Sequence, residues 1–141
     1  VSYEVDQPPI AQLEVGFYQE LKALAASFSA PHIKIMLVGT DEIDWSFVPE
    51  RHRYEIKAVI QELLVNMKKH SEATIVLLRF GSSGRGLQID YSDNGKGFPI
   101  PFVPGKGLQN AENRIASLGG AVNFVQKGGK VIGIGLFIPL H

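Results

Sequence analysis

The stretch from Ile56 to Met67 constrains this chain more than any other. Ile56, Val59, Ile60, Leu63, Leu64 and Met67 recur at i, i+3, i+4, i+7, i+8 and i+11, the spacing of one apolar face of an α-helix. At about 100° per residue these positions share a single arc. A helix with such an arc has to bury it against a second layer, so the chain must supply one. Glu62, Asn66 and Lys69 fall together just beside the arc, at the edge of a core, where a cleft can form. An asparagine in mid-helix weakens the helix, so Asn66 calls for a reason beyond the helix itself.

The remaining segments supply that second layer. Ile10, Leu13, Phe17, Leu21, Leu24 and Phe28 form another helical stripe after Pro8-Pro9, and Ser29-Ala30-Pro31 stops it. Ile33 to Val38 is a short apolar run closed by Gly39, which suits a strand. Asp41 to Pro49 reads as a loop with Trp45 and Phe47 packed beneath it. Thr74–Phe80 and Gly86–Tyr91 read as strands joined by a hairpin turn at Gly81-Ser82-Ser83-Gly84. Phe98 to Pro104 holds three prolines and reads as an irregular loop or lid. Lys106 to Leu118 is helical, with Gly119-Gly120 as its C-terminal cap. Ala121–Val125 and Val131–Leu140 read as the last strands, joined through Gly128-Gly129. Strands joined by tight turns pair antiparallel. The expected fold is therefore an α/β (α+β) two-layer sandwich, with three helices on one face of a mixed, largely antiparallel sheet.

Length and composition fit one such unit. With 141 residues, 45% hydrophobic and 20% charged, the chain suits a single domain over 1–141 with a true core. Basic and acidic residues number 14 each, for a formal net charge of +0. There is no basic excess for a nucleic-acid partner and no charge block for a membrane surface. Cysteine is absent, which removes disulfides and thiolate metal sites. No apolar stretch is long enough to span a bilayer, and Val1-Ser2-Tyr3-Glu4 lacks the features of a signal peptide. These features lead us to expect a cytoplasmic domain without direct membrane contact. The chain begins without Met, as a piece of a longer and membrane-anchored parent would.

Three polar clusters carry chemistry. Glu62 and Asn66 lie one turn apart on one helix face. A carboxylate beside an amide oxygen suits Mg²⁺, a hard ion that takes oxygen ligands, and the carboxylate alone could act as a general base. Lys69 and His70 follow and could meet phosphate oxygens; the bland alternative is a solvated helix face. Asp93 ends a strand and precedes Gly95 and Gly97. Its carboxylate could accept from an adenine amine while the glycines let backbone approach the base; the alternative is an Asx-type turn. Gly105-Lys106-Gly107 opens a helix, whose free N–H groups suit an anion. The spacing is neither a Walker A loop nor a dinucleotide fingerprint. The four histidines have no metal-ligand spacing.

In this order the clusters resemble the ATP-binding domain of sensor histidine kinases, the Bergerat nucleotide fold shared with gyrase and mismatch-repair ATPases. Gln61 to His70 resembles the N box, Asp93 to Phe98 the first glycine box, and Gly105 to Asn110 with Arg114 the second. The likeness covers about residues 50 to 140, with 1–49 as the N-terminal helix and strand of the same domain. It implies ATP and Mg²⁺ as cofactors, with Asn66 binding the metal and Glu62 assisting the phosphoacceptor as the catalytic group. Lys69 and His70 would contact phosphates or ribose. Asp93 would take the adenine amine beside Gly95 and Gly97. Gly105 and Gly107 would flex a lid, with Leu108 starting the helix behind it.

The implied function is protein histidine kinase activity in two-component signalling. The γ-phosphoryl of ATP would pass to a histidine on dimerisation helices of the parent kinase, and a response regulator would follow. Residues 10–28 contain no histidine, so the acceptor is expected outside this chain, which would be nearly inert alone. Ile132-Gly133 stands where such kinases often carry a threonine pair. The rival readings are an ATP-gated clamp of gyrase type, an anti-sigma-factor serine kinase and a nucleotide-binding pseudo-kinase.

Overall fold

The computed structural model describes residues 9–99 and 105–140, with side chains over 16–82, 84–97 and 105–140. The elements are α1 (Pro9–Phe28), β1 (Lys34–Val38), α2 (Glu50–His70), β2 (Ile75–Ser83), β3 (Gly86–Asp93), β4 (Phe98–Pro99), α3 (Lys106–Ala116), β5 (Ala121–Lys127) and β6 (Lys130–Pro139). Two short 3₁₀ turns, Thr40–Glu42 and Trp45–Phe47, link β1 to α2.

The strands form one six-stranded sheet in the order β1-β2-β3-β6-β4, with β5 on the other edge of β6. β1 pairs parallel to β2 and every other pairing is antiparallel. Helix α2 is the crossover that makes the parallel pair possible. The three helices and the mixed sheet match the α+β architecture expected. Strand alternation sends Val76, Leu78 and Phe80 of β2, Leu87, Ile89 and Tyr91 of β3, and Ile134, Leu136 and Ile138 of β6 into the core. There they meet the α2 stripe, where Ile56, Val59, Ile60, Leu63, Leu64 and Met67 are all buried.

Several boundaries differ from the sequence reading. Gly81–Ser83 belongs to β2, and the hairpin turns through Gly84, at φ +58°, and Arg85. Trp45 is buried and edge-on to Phe17 and Phe80, but Phe47 is 77% exposed and packs under nothing. Its one-turn 3₁₀ segment turns neighbouring side chains to opposite sides. Phe98-Pro99 is not irregular: it pairs with Val131 and Lys130, where Pro is tolerated at a short edge strand. The remainder of the expected lid, 100–104, lies outside the described residues. Helix α3 ends at Ala116, two residues early, and Gly119 at φ +79° forms the cap.

Helix α2 ends on an unfavourable residue. Ser71 closes it, and Glu72 takes the left-handed conformation at φ +57°, a position that usually belongs to glycine. Its exposed 3.6 Å contact with Lys96 adds little. Glu72→Gly is expected to raise stability by about 0.5–1 kcal/mol, through relief of the left-handed strain. A rise in the urea midpoint at unchanged slope would show it.

Candidate functional site

The site is built on an interruption of the β3–β6 ladder. Ser92 pairs with Gly133, and the next pairing on that edge of β6 is Phe98 with Val131. Asp93 still pairs with Val76 of β2 but has no partner on β6, and Asn94 to Gly97 leaves the sheet opposite Ile132 before Phe98 rejoins β6. Local chemistry holds this excursion. The Asn94 side chain accepts from Thr74 N at 2.8 Å and Ile75 N at 2.9 Å, and donates to Thr74 Oγ1 at 2.8 Å. Lys96 N donates to Ser71 O at 3.0 Å, tying the bend to the end of α2. Gly95 leaves no room for a side chain, since a Cβ would stand 2.1 Å from Ser71 O. Gly97 sits at φ +71°.

Strand alternation turns Tyr91 and Asp93 to the helix side of the sheet. Asp93 Oδ1 accepts from Gly95 N at 2.8 Å, an Asx-type contact, and Oδ2 accepts from the Tyr91 hydroxyl. Burial pushes the Tyr91 phenol well above its usual range, and the Asp93 carboxylate raises it further. Around this pair lies a cavity lined by Ser71, Gly95, Gly97 and the β6 segment Val131 to Ile134. Its free space is about 30 Å³, on the order of one water molecule, so a larger guest needs these walls to part.

The second group of expected residues sits where α2 meets α3. A Cβ on Gly107 would stand 3.0 Å from Glu62 Oε2, so the second glycine cluster packs directly on the Glu62 side chain. Leu108, Ala111 and Ile115 dock α3 into the core. Arg114 Nη1 meets Glu55 Oε1 at 2.7 Å. That hydrogen bond raises the Arg114 pKa, and the Glu55 and Glu62 charges add to it.

The structure thus gathers Asp93, Gly95 and Gly97 round one cavity and sets Glu62 against Gly107. Asn66 is half-buried on α2, while Lys69, His70 and Gly105 are exposed, and none of these four lines the cavity. Leu108 is a core residue, 3% exposed. Sequence reasoning missed Ser71, Tyr91, Val131 and Ile134 as wall residues. Tyr91 was within reach, because residues two apart on a strand share a face. Ser71 and β6 were not, since only the tertiary fold brings them to the bend.

Known proteins resemble the chain in sequence and in fold. No family model matches the chain. The sensor histidine kinase LiaS of Bacillus subtilis is 31% identical over 84 residues, which span 58% of this chain and 23% of LiaS. The sensor histidine kinase YvfT of the same organism is 28% identical over 126 residues, 89% of this chain and 33% of YvfT. The chain is related to the sensor histidine kinases. It spans only about a quarter to a third of these relatives' length. The fold agrees. The histidine kinase domain of the Erythrobacter litoralis EL346 blue-light activated kinase superposes with a TM-score of 0.70 at 23% identity, covering 91% of this chain and 61% of that one. Acinetobacter baumannii AdeS gives 0.62 at 16%, covering 89% and 62%. No helix among the described residues is long and apolar enough to cross a membrane.

Proposed function

We propose that residues 1–141 act as one nucleotide-binding unit, the catalytic domain of a cytoplasmic portion of a sensor histidine kinase. The observation that carries this reading is the Asp93 carboxylate, held in the lining of a cavity by Gly95 N and Tyr91, in a chain related to such kinases. Its remaining lone pairs can accept from an adenine amine. Entry of the purine would part Ile132 from the Gly95–Gly97 backbone. The phosphates would extend toward α2 and the start of α3, where Lys69, His70 and the N–H groups of the first turn from Gly105 to Gly107 suit anionic oxygens.

Mg²⁺ fits the donors present. Among the described residues no trio of acidic or histidine side chains could cage an ion, and Mg²⁺ characteristically takes few protein ligands and shares the phosphates. The half-buried amide oxygen of Asn66 would be its protein ligand. Bound there, the ion would neutralise phosphate charge. Glu62 would orient or deprotonate the incoming imidazole. The nitrogen of an acceptor histidine on the parent's dimerisation helices would form the N–P bond as the bond from the γ-phosphorus to the bridging oxygen breaks, with ADP leaving. A response regulator would take the phosphoryl group next. The domain's contribution is positioning and electrostatics.

The test is direct. Calorimetry of the 141-residue chain with MgATP is expected to give binding that Asp93→Ala lowers by at least about 10-fold, the worth of a hydrogen bond to a charged group. Unchanged affinity in the variant would remove Asp93 from the base site.

A further inference from the structure

Tyr91 is the one buried titratable group among the described residues that line the cavity, and the nucleotide reading gives it no part beyond holding Asp93. It is 7% exposed, pairs in the sheet with Leu78 and Ile134, and lines the cavity beside Asp93. Its hydroxyl donates to Asp93 Oδ2 while Gly95 N donates to Oδ1. Two donors on two oxygens fix both the plane and the reach of the carboxylate. A phenylalanine would pack in the same place, so packing alone does not account for the hydroxyl.

We propose that Tyr91 is a positioning residue that sets the nucleobase preference of this cavity, by clamping Asp93 and committing its own proton to it. The inference rests on the nucleotide reading of the site. With its proton given to Asp93, the Tyr91–Asp93 pair offers the guest lone pairs and no proton. A purine with an amine at its 6-position donates to that edge. A 6-oxo purine brings lone pairs against lone pairs, and a site built to accept from an N–H rejects an analogue lacking it. Released from Tyr91, the carboxylate can rotate, which weakens its bond to the amine and relaxes the rejection.

The experiment compares MgATP with MgITP (the 6-oxo analogue) on the wild-type chain and on Tyr91→Phe, with the thermal midpoint of each as a check on folding. The wild type is expected to favour ATP over ITP at least roughly 10-fold. Tyr91→Phe is expected to bind ATP roughly 5- to 20-fold more weakly, with the preference falling toward roughly 2-fold. A structural role alone would move the midpoint and leave the ratio. If the wild type binds both nucleotides equally, the inference falls whether or not the variant folds. If the wild type prefers ATP and a folded Tyr91→Phe keeps the same ratio, the inference falls and the nucleotide site stands. If the wild type binds neither, the nucleotide reading falls and takes the inference with it.

Discussion

Gly95→Ala is expected to cost about 3 kcal/mol of stability, near the upper end for forcing atoms into a packed site, and to abolish measurable MgATP binding. The alanine Cβ would stand 2.1 Å from Ser71 O and 2.8 Å from Ser71 C, both of them backbone atoms. Neither can swing aside as a side chain would. Something larger must move: either the last turn of α2 or the bend from Asp93 to Gly97. Either movement strains the bond from Lys96 N to Ser71 O and shifts the Gly95 N that holds Asp93. Urea unfolding and MgATP calorimetry on the same sample would measure both effects. Wild-type stability in this variant would mean that the bend is not seated against α2.

Leu64→Ala is expected to cost about 2–5 kcal/mol, the range for a truncated core leucine. Leu64 is 0% exposed and lies on the arc that joins α2 to the sheet. Single domains carry only about 5–15 kcal/mol in all, so the loss would leave a much weakened fold. Nucleotide binding would fall with it, because α2 carries Glu62 and Asn66 and its end supports the bend. The contrast with Asp93→Ala is diagnostic. That variant removes a half-exposed carboxylate and should retain most of its unfolding midpoint while losing affinity. A Leu64→Ala chain with an unchanged midpoint would contradict the burial of the α2 stripe.

How far the sequence reached depended on the range of each interaction. Helix α2 was legible because its apolar spacing repeats over about three turns and reports one buried face directly. The β3 strand and Asp93 at its end were legible from local pattern as well. Phe47 was misread because an aromatic residue in a short loop has no period to say which way it points. Phe98-Pro99 was misread because prolines argue against regular structure locally, yet β6 offers an edge where a two-residue pairing needs few donors. Gly95 was read as room for a base. The structure adds a nearer reason in the Ser71 carbonyl, which lies 24 positions earlier in the chain and leaves no mark on the local sequence.

The sequence by itself determined the elements, their amphipathic faces and the order of three polar clusters, because periodicity, turn chemistry and caps act over a few residues. Only the tertiary structure decided which clusters meet. Pairing β3 and β4 along one edge of β6 is what pushes Asn94 to Gly97 out opposite Ile132 and opens a cavity there. The parallel β1–β2 pair, the docking of Gly107 on Glu62 and the Tyr91–Asp93 clamp arise the same way. Each depends on which faces bury against which, a choice made by the packing of the whole core.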